Sequence, residues 1–260
     1  MTRHFCASHL GAVHYVTDGP VTTPPIVLLH QTPRSIDEFA EIIPLVAEKH
    51  RVIAIDTPGY GCSDHPASDP TVQDYAKAVV AVLDNEGVKD AHVIGHHTGA
   101  LIAIELAAGH PDRVASVVLS GPVYCDAKGR EALRPYFQQW HVQEDGSHLM
   151  EKWTKFSKWT SPASLVQRLL LDLFRAGETS EAGHMALLVY KMEERLPLVH
   201  CPGLLIFGSR DPFADHSIEP TFLAQFEPGS VTTLDMGVFG PNEQPEALAK
   251  AALDFIAGLS

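Results

Sequence analysis

The stretch VIGHHTGA, residues 93–100, sets two imidazoles where a β-branched run meets two glycines and a helix-forming segment. Val93 and Ile94 read as a strand, and the residues from Gly99 onward as a helix. Gly95 and Gly99 allow the two elements to pack without side-chain clash, so the chain turns sharply and holds up its tip residue, His97. An imidazole titrates near neutral pH and can take and return a proton within one reaction cycle. His97 is therefore the first candidate for chemistry. Its neighbour His96 is expected to point into the supporting structure. His30 ends the run PIVLLH, and His184 sits in the helical stretch AGHMALLVY, where it can face a pocket. Two such histidines converging with an Asp would suit zinc or iron. No HxH or HExxH spacing lies on one element, so no metal is expected.

The elements that must position these groups alternate along the chain. PIVLLH (25–30), RVIAID (51–56), AHVIG (91–95), ASVVLSG (115–121), GLLIFG (203–208) and SVTTLDM (230–236) read as buried parallel strands. SIDEFAEIIPLVAEKH, TVQDYAKAVVAVLDNEG, GALIAIELAAGH and PEALAKAALDFIAGL carry apolar residues at helical spacing. Two short strands near 4–8 and 11–17 are expected to form an antiparallel edge hairpin. The rhythm implies an α/β fold: a doubly wound, mostly parallel eight-stranded sheet with helices on both faces. It breaks over residues 123–196, which are helical, aromatic-rich and without a strand. That segment reads as a helical lid inserted into a core of 1–122 and 197–260, over the strand ends where such sheets bind ligands. All three tryptophans, Trp140, Trp153 and Trp159, lie in it, available either to a pocket or to the lid's own packing.

Composition narrows the function classes. A chain of 260 residues, 45% hydrophobic, can bury one large core. Its 19 Lys+Arg against 32 Asp+Glu give a net charge of −13, which argues against nucleic-acid or anionic-membrane partners. No apolar run approaches the roughly 20 residues that span a bilayer. The N-terminal stretch lacks an apolar signal-peptide core, and Cys6, Cys62, Cys125 and Cys201 show no CxxC spacing. Reduced thiols and a cytoplasmic location are expected.

In chain order, LLHQTPRS, AIDTPGYGCSD, VIGHHTGA, LLIFGSRDPFAD and DMGVFGPNEQPEALAKAALDFI resemble the ordered motifs of the α/β-hydrolase superfamily. The likeness is to the single-lid kind found in esterases, epoxide hydrolases, haloalkane dehalogenases and C–C hydrolases, and it covers essentially the whole chain. Three departures stand out. The glycine of the family's oxyanion loop, usually HG-x-P, is Gln31. The nucleophile position is His97. The catalytic histidine of the last loop is Val238, and the last histidine of the chain is His216, so that segment holds no imidazole. A Ser–His–Asp triad in the family's order is absent.

By the resemblance, Asp211 is the late acid, and the backbone N–H groups of Thr32 and Thr98 form the oxyanion hole. Such donors stabilise a transition state by about 3–4 kcal/mol where they operate. Val238 vacates volume while His97 is longer than serine, so the imidazole has in effect moved from loop to elbow. His97 would donate one ring N–H to Asp211 and keep the other nitrogen as a base. His30, Gln31, His96, His184 and Val238 are the candidates for lining the substrate pocket. Ser63, Ser120 and Cys125 lack an adjacent base by sequence logic. The implied protein is a cofactor-free enzyme hydrolysing an ester, lactone or related small apolar carbonyl compound, with a homodimer left open. The same base serves proton abstraction for a lyase or isomerase. A ligand-binding homologue without turnover and a metal-dependent variant are also compatible with these residues. Because the elbow carries no serine, fluorophosphonate probes are expected to leave the protein unlabelled; stoichiometric labelling seen by mass spectrometry would point to a hidden serine, Ser120 first.

Overall fold

In the computed structural model, which describes residues 1–22, 24–137 and 139–259, each predicted apolar run becomes a strand. β1 (Thr2–Ser8) and β2 (Gly11–Asp18) form the antiparallel hairpin. β3 (Ile26–Leu29), β4 (Val52–Ile55), β5 (Ala91–His96), β6 (Val114–Ser120), β7 (Gly203–Gly208) and β8 (Gly229–Leu234) follow. They make one eight-stranded sheet, in the order β1-β2-β4-β3-β5-β6-β7-β8. Every pairing from β4 to β8 is parallel, and only the hairpin and its junction with β4 are antiparallel.

Helices cover both faces: α1 (Ile42–Ala47), α2 (Val72–Asn85) and α3 (Thr98–Gly109) come before β6. Successive residues of a strand point to opposite faces, and the two cores follow that alternation. Val27 and Leu29 pack with α2 and α3, through Val79 and Ala103 among others. Ile26 and Leu28 pack on the other face with Ile42 of α1 and with the C-terminal helix.

Between β6 and β7 run α4 (Ala127–Leu133), α5 (Ser147–Phe156), α6 (Ala163–Ala176), α7 (Ala182–Val189) and α8 (Met192–Arg195). No strand interrupts them among the described residues. After β7 come α9 (Glu219–Leu223), α10 (Gly240–Glu243) and α11 (Pro245–Ala257). A third apolar cluster belongs to the insertion: Trp140, Phe156, Leu165, Val166, Leu169, Leu170 and Leu173, joined by Val238 and Phe239 from the loop before α10. Trp140 is buried and donates its Nε1–H to Ser180 Oγ at 2.8 Å, Trp153 packs against the cluster, and Trp159 stays 39% exposed.

One predicted helix is not continuous. SIDEFAEIIPLVAEKH forms a 3-10 turn, Ile36–Phe39, and then the six-residue α1. Pro44 has no N–H to extend a helix backwards, while the Ile36 N–H at the start of the turn is satisfied by Asp56 Oδ1 at 2.7 Å.

The glycines of the elbow are required by contact. A Cβ on Gly99 would lie 2.0 Å from the Leu29 carbonyl oxygen, and one on Gly95 2.3 Å from the Gly99 oxygen. Backbone cannot yield to such overlap as a flexible side chain can. Gly99→Ala is expected to destabilise the fold by about 1–3 kcal/mol, a fall of several degrees in Tm; an unchanged thermal transition would show that α3 can stand off from the sheet.

Candidate active site

His97 sits between β5 and α3 with φ 46° and ψ −110°, the one non-glycine residue at positive φ among those described. A side chain held there costs about 1–3 kcal/mol. The geometry is pinned from both sides: the His97 N–H donates to Ser120 O, and its carbonyl accepts the Ala100 N–H, each at 2.9 Å. The imidazole lies over Gly121, where a Cβ would come 2.8 Å from Nε2. Gly121 therefore makes the room that a histidine needs at this tip. Sequence reasoning missed it, although a glycine closing the run ASVVLSG was visible.

His97 Nε2 is 3.0 Å from Asp211 Oδ2, and both side chains are nearly buried. The carboxylate approaches off the line of the ring N–H, so the pair is a close polar contact rather than an aligned hydrogen bond. Asp211 Oδ1 accepts the Phe213 N–H at 2.9 Å, which fixes the carboxylate in its turn. Burial alone would raise the Asp211 carboxyl; the His97 imidazole, the Phe213 N–H and His96 outweigh it and hold it below the usual carboxylate range. Phe213 meets the His97 ring edge-on at 6.1 Å, and Trp159 meets Phe213 at 5.8 Å.

The other departures from the superfamily pattern converge on one atom. The carbonyl oxygen of Val238 accepts from His96 Nε2 at 2.9 Å and from Gln31 Nε2 at 3.2 Å. His96 also pairs through Nδ1 with Ser120 Oγ at 2.9 Å. With Nε2 donating to a carbonyl, Nδ1 must accept the serine proton, so the ring is neutral. Burial first, then neighbouring His97, keep its pKa well below the ordinary imidazole value.

Gln31 is held in turn by Glu38, which accepts its backbone N–H and its Nε2–H, both at 2.8 Å. Arg34 lies 3.8 Å from Glu38, binds Asp172 of α6 at 2.8 Å, and reaches Asn242 at 2.8 Å. Arg168 of α6 grips Asp37 and Glu41. The helical insertion is thus latched ionically to the segment of residues 31–41.

Thr32 and Thr98 meet directly. The Thr32 N–H donates to Thr98 Oγ1 at 2.6 Å, and that hydroxyl donates to Thr32 Oγ1 at 3.1 Å. Gly183 of α7 closes over them, since a Cβ there would lie 2.0 Å from Thr32 Oγ1. A cavity of about 10 Å³ remains beside Thr32 and Thr98, room for roughly one water.

The remaining sequence candidates have structural partners. His30 donates through Nδ1 to Gln31 O at 2.9 Å and accepts the Thr57 N–H at 3.0 Å; burial lowers its pKa, and its ring borders the small cavity. His184 pairs with Glu181 at 2.6 Å and stacks on Phe137 rather than reaching His97. Ser63 bonds Asp56 O and accepts the His14 N–H. Burial pushes the Cys125 thiol up to about 11, which removes it as a nucleophile. His14, Asp56 and Cys62 are the one trio of possible metal ligands within reach of each other among the described residues, and His14 Nδ1 is bonded to Asp56 at 2.7 Å. The histidines of the elbow are not part of it.

Residues 24–146 match the family model for the alpha/beta hydrolase fold. A haloalkane dehalogenase of Mycolicibacterium paratuberculosis is 30% identical over 226 residues, 80% of this chain and 74% of that protein. The chain belongs to the α/β-hydrolase fold family. A haloalkane dehalogenase of Psychrobacter cryohalolentis is 37% identical over 131 residues, where the match spans 49% of this chain and less than half, 43%, of that protein. The crystal structure of an esterase from a Rhodococcus species superposes with a TM-score of 0.82 over the full length of both chains at 22% identity, a likeness of fold. No helix among the described residues of this α/β hydrolase is long and apolar enough to cross a membrane.

Glu38, a further group sequence reasoning passed over, is fully buried, and burial pushes its carboxyl from 4.5 to about 7 against the pull of Arg34 and Gln31. A carboxyl raised on folding favours the protonated state. Its contribution to stability is whole below pH 4.5 and disappears as pH rises through 7. Glu38→Gln is expected to remove about 3 kcal/mol of pH-dependent loss across that window, measured by chemical denaturation at each pH; parallel wild-type and variant curves would show that Glu38 stays ionised throughout.

Proposed function

We propose that this α/β hydrolase cleaves an ester or lactone of a small, largely apolar carbonyl compound, using a His97–Asp211 dyad where the family uses a serine triad. The observation that carries this is the 3.0 Å contact between His97 Nε2 and Asp211 Oδ2 at an elbow that keeps its strained backbone. The carboxylate favours the tautomer with the proton on Nε2. Nδ1, which makes no hydrogen bond among the described residues, is then the basic nitrogen.

In the proposed cycle Nδ1 takes a proton from water as the water oxygen bonds to the substrate carbonyl carbon. The carbonyl π electrons move onto its oxygen, facing the N–H groups of Thr32 and Thr98. When the tetrahedral intermediate collapses, the carbon–oxygen bond to the leaving group breaks and the imidazolium returns its proton to the departing alkoxide. Asp211 stays ionised and stabilises the imidazolium. No cofactor enters these steps. Phe213 and Trp159 beside the ring support an apolar substrate, and the Rhodococcus protein of the same fold is an esterase.

A panel of 4-nitrophenyl esters and γ-lactones tests the reading. His97→Ala is expected to lower kcat by about 10²–10⁴-fold. Asp211→Asn should fall about as far, because the amide selects the wrong tautomer and cannot stabilise the imidazolium. Turnover in His97→Ala equal to wild type would remove the dyad from the mechanism.

A further inference from the structure

The Thr32 N–H, one of the two donors assigned above to the oxyanion, already has an acceptor in Thr98 Oγ1 at 2.6 Å. Thr98 also borders the cavity of about 10 Å³, together with Tyr60 and Tyr75. One polar atom on that wall has no partner. The Tyr75 hydroxyl makes no hydrogen bond, although the residue is only 2% exposed. The Tyr60 hydroxyl lies close enough to interact with Tyr75 but makes no aligned hydrogen bond with it: its proton goes to Ser180 O at 3.2 Å, and it accepts the Gly183 N–H at 2.8 Å. A buried phenol proton without an acceptor is unfavourable, and such groups call for an explanation.

Thr98 is the first residue of α3, so no preceding turn crowds its side chain. Its side chain rests in discrete staggered χ1 positions. We propose that Thr98 is a two-position gate of the oxyanion hole. In the closed position its hydroxyl occupies the Thr32 N–H. In the open position it swings into the cavity and accepts the Tyr75 proton, and the Thr32 N–H is released to a substrate oxygen. This rests on the hydrolytic reading above and adds to it a specificity-determining pair, Thr98 and Tyr75.

The gate exchanges hydrogen bonds rather than only breaking them. Closed, Thr98 Oγ1 accepts from Thr32 and Tyr75 is unpaired. Open, Thr98 accepts from Tyr75 and the substrate oxygen accepts from Thr32. The incoming oxygen must compete with a hydroxyl, so carbonyl oxygens of esters and lactones are selected over weak acceptors such as ethers or halogens. The oxyanion formed during attack is a charged and stronger acceptor still. The gate therefore discriminates in favour of the transition state.

Amide hydrogen exchange at Thr32, read by NMR on the full chain without substrate, is measured beside hydrolysis of 4-nitrophenyl acetate for wild type, Tyr75→Phe, Thr98→Val and the double variant. Tyr75→Phe is expected to slow Thr32 exchange and lower kcat/KM by about fivefold, the scale of one net hydrogen bond. Its Tm should not fall, because the hydroxyl removed makes no aligned hydrogen bond. Thr98→Val should speed Thr32 exchange by about fivefold or more, and the double variant should match it, since Tyr75 then has no threonine hydroxyl to bind. If valine is not tolerated, Thr98→Ala takes its place. Unchanged Thr32 exchange in Tyr75→Phe, as a water fixed on Tyr75 would produce, overturns the gate; so does additivity in the double variant. The predicted exchange pattern without hydrolysis by any of the proteins would uphold the gate and refute the hydrolytic reading.

Discussion

The contact on which this site depends is that of Gly99 with the carbonyl of Leu29. With no Cβ at Gly95 or Gly99, α3 starts directly against the sheet, and the chain has one residue in which to turn from strand to helix. That residue is His97, and its positive φ follows from the turn. The strain is maintained because the N–H, the carbonyl and the ring of His97 each have a fixed neighbour: Ser120, Ala100 and Gly121. A rigid tip with the imidazole backed by a carboxylate is a way of orienting a base before any substrate arrives.

Val238, at the position of the family's loop histidine, contributes to the site in two ways. The side chain joins the apolar cluster of the insertion, which binds the loop to the helices above it. The backbone carbonyl becomes the acceptor for His96 and Gln31. Gln31, His96 and Val238, three positions spread over more than two hundred residues, thus form one hydrogen-bonded unit. Glu38 anchors that unit, and Arg34 ties it to Asp172 of the insertion. Buried polar groups that satisfy each other rigidify a structure, whereas the loss of one partner leaves the rest exposed to the full desolvation penalty. The set is therefore expected to tolerate change poorly one residue at a time.

In the proposed function, closure and chemistry are joined at Thr32. The same residue offers a backbone donor, carries a hydroxyl that receives the Thr98 proton, and lies under Gly183 of α7. Movement of the insertion and rearrangement of the proposed oxyanion donors thereby share a single point of contact. The insertion is latched at α6 through Arg168 and Asp172, so motion that admits a substrate is more easily placed at the parts without such ion pairs to the core.

The strands, their mostly parallel pairing and the helical break after β6 were all legible in the sequence, because apolar periodicity and glycine placement are local properties that the backbone must obey. So was the absence of a triad, since no histidine follows His216. The prospect of an imidazole at the elbow facing Asp211 was legible too, because both positions follow from ordered motifs. What the chain order could not disclose were contacts between distant segments. Gly121 as the floor under His97, the carbonyl of Val238 as a shared acceptor, Glu38 buried behind Gln31, and the Thr98 hydroxyl on the Thr32 N–H each require two or three elements to be packed first. The break in the helix read across residues 35–50 has by contrast a local cause, Pro44, which has no N–H to donate to the preceding turn. Hydrogen-bond partners are chosen by proximity in the folded state, and a carbonyl that becomes an acceptor carries no mark of it in the sequence.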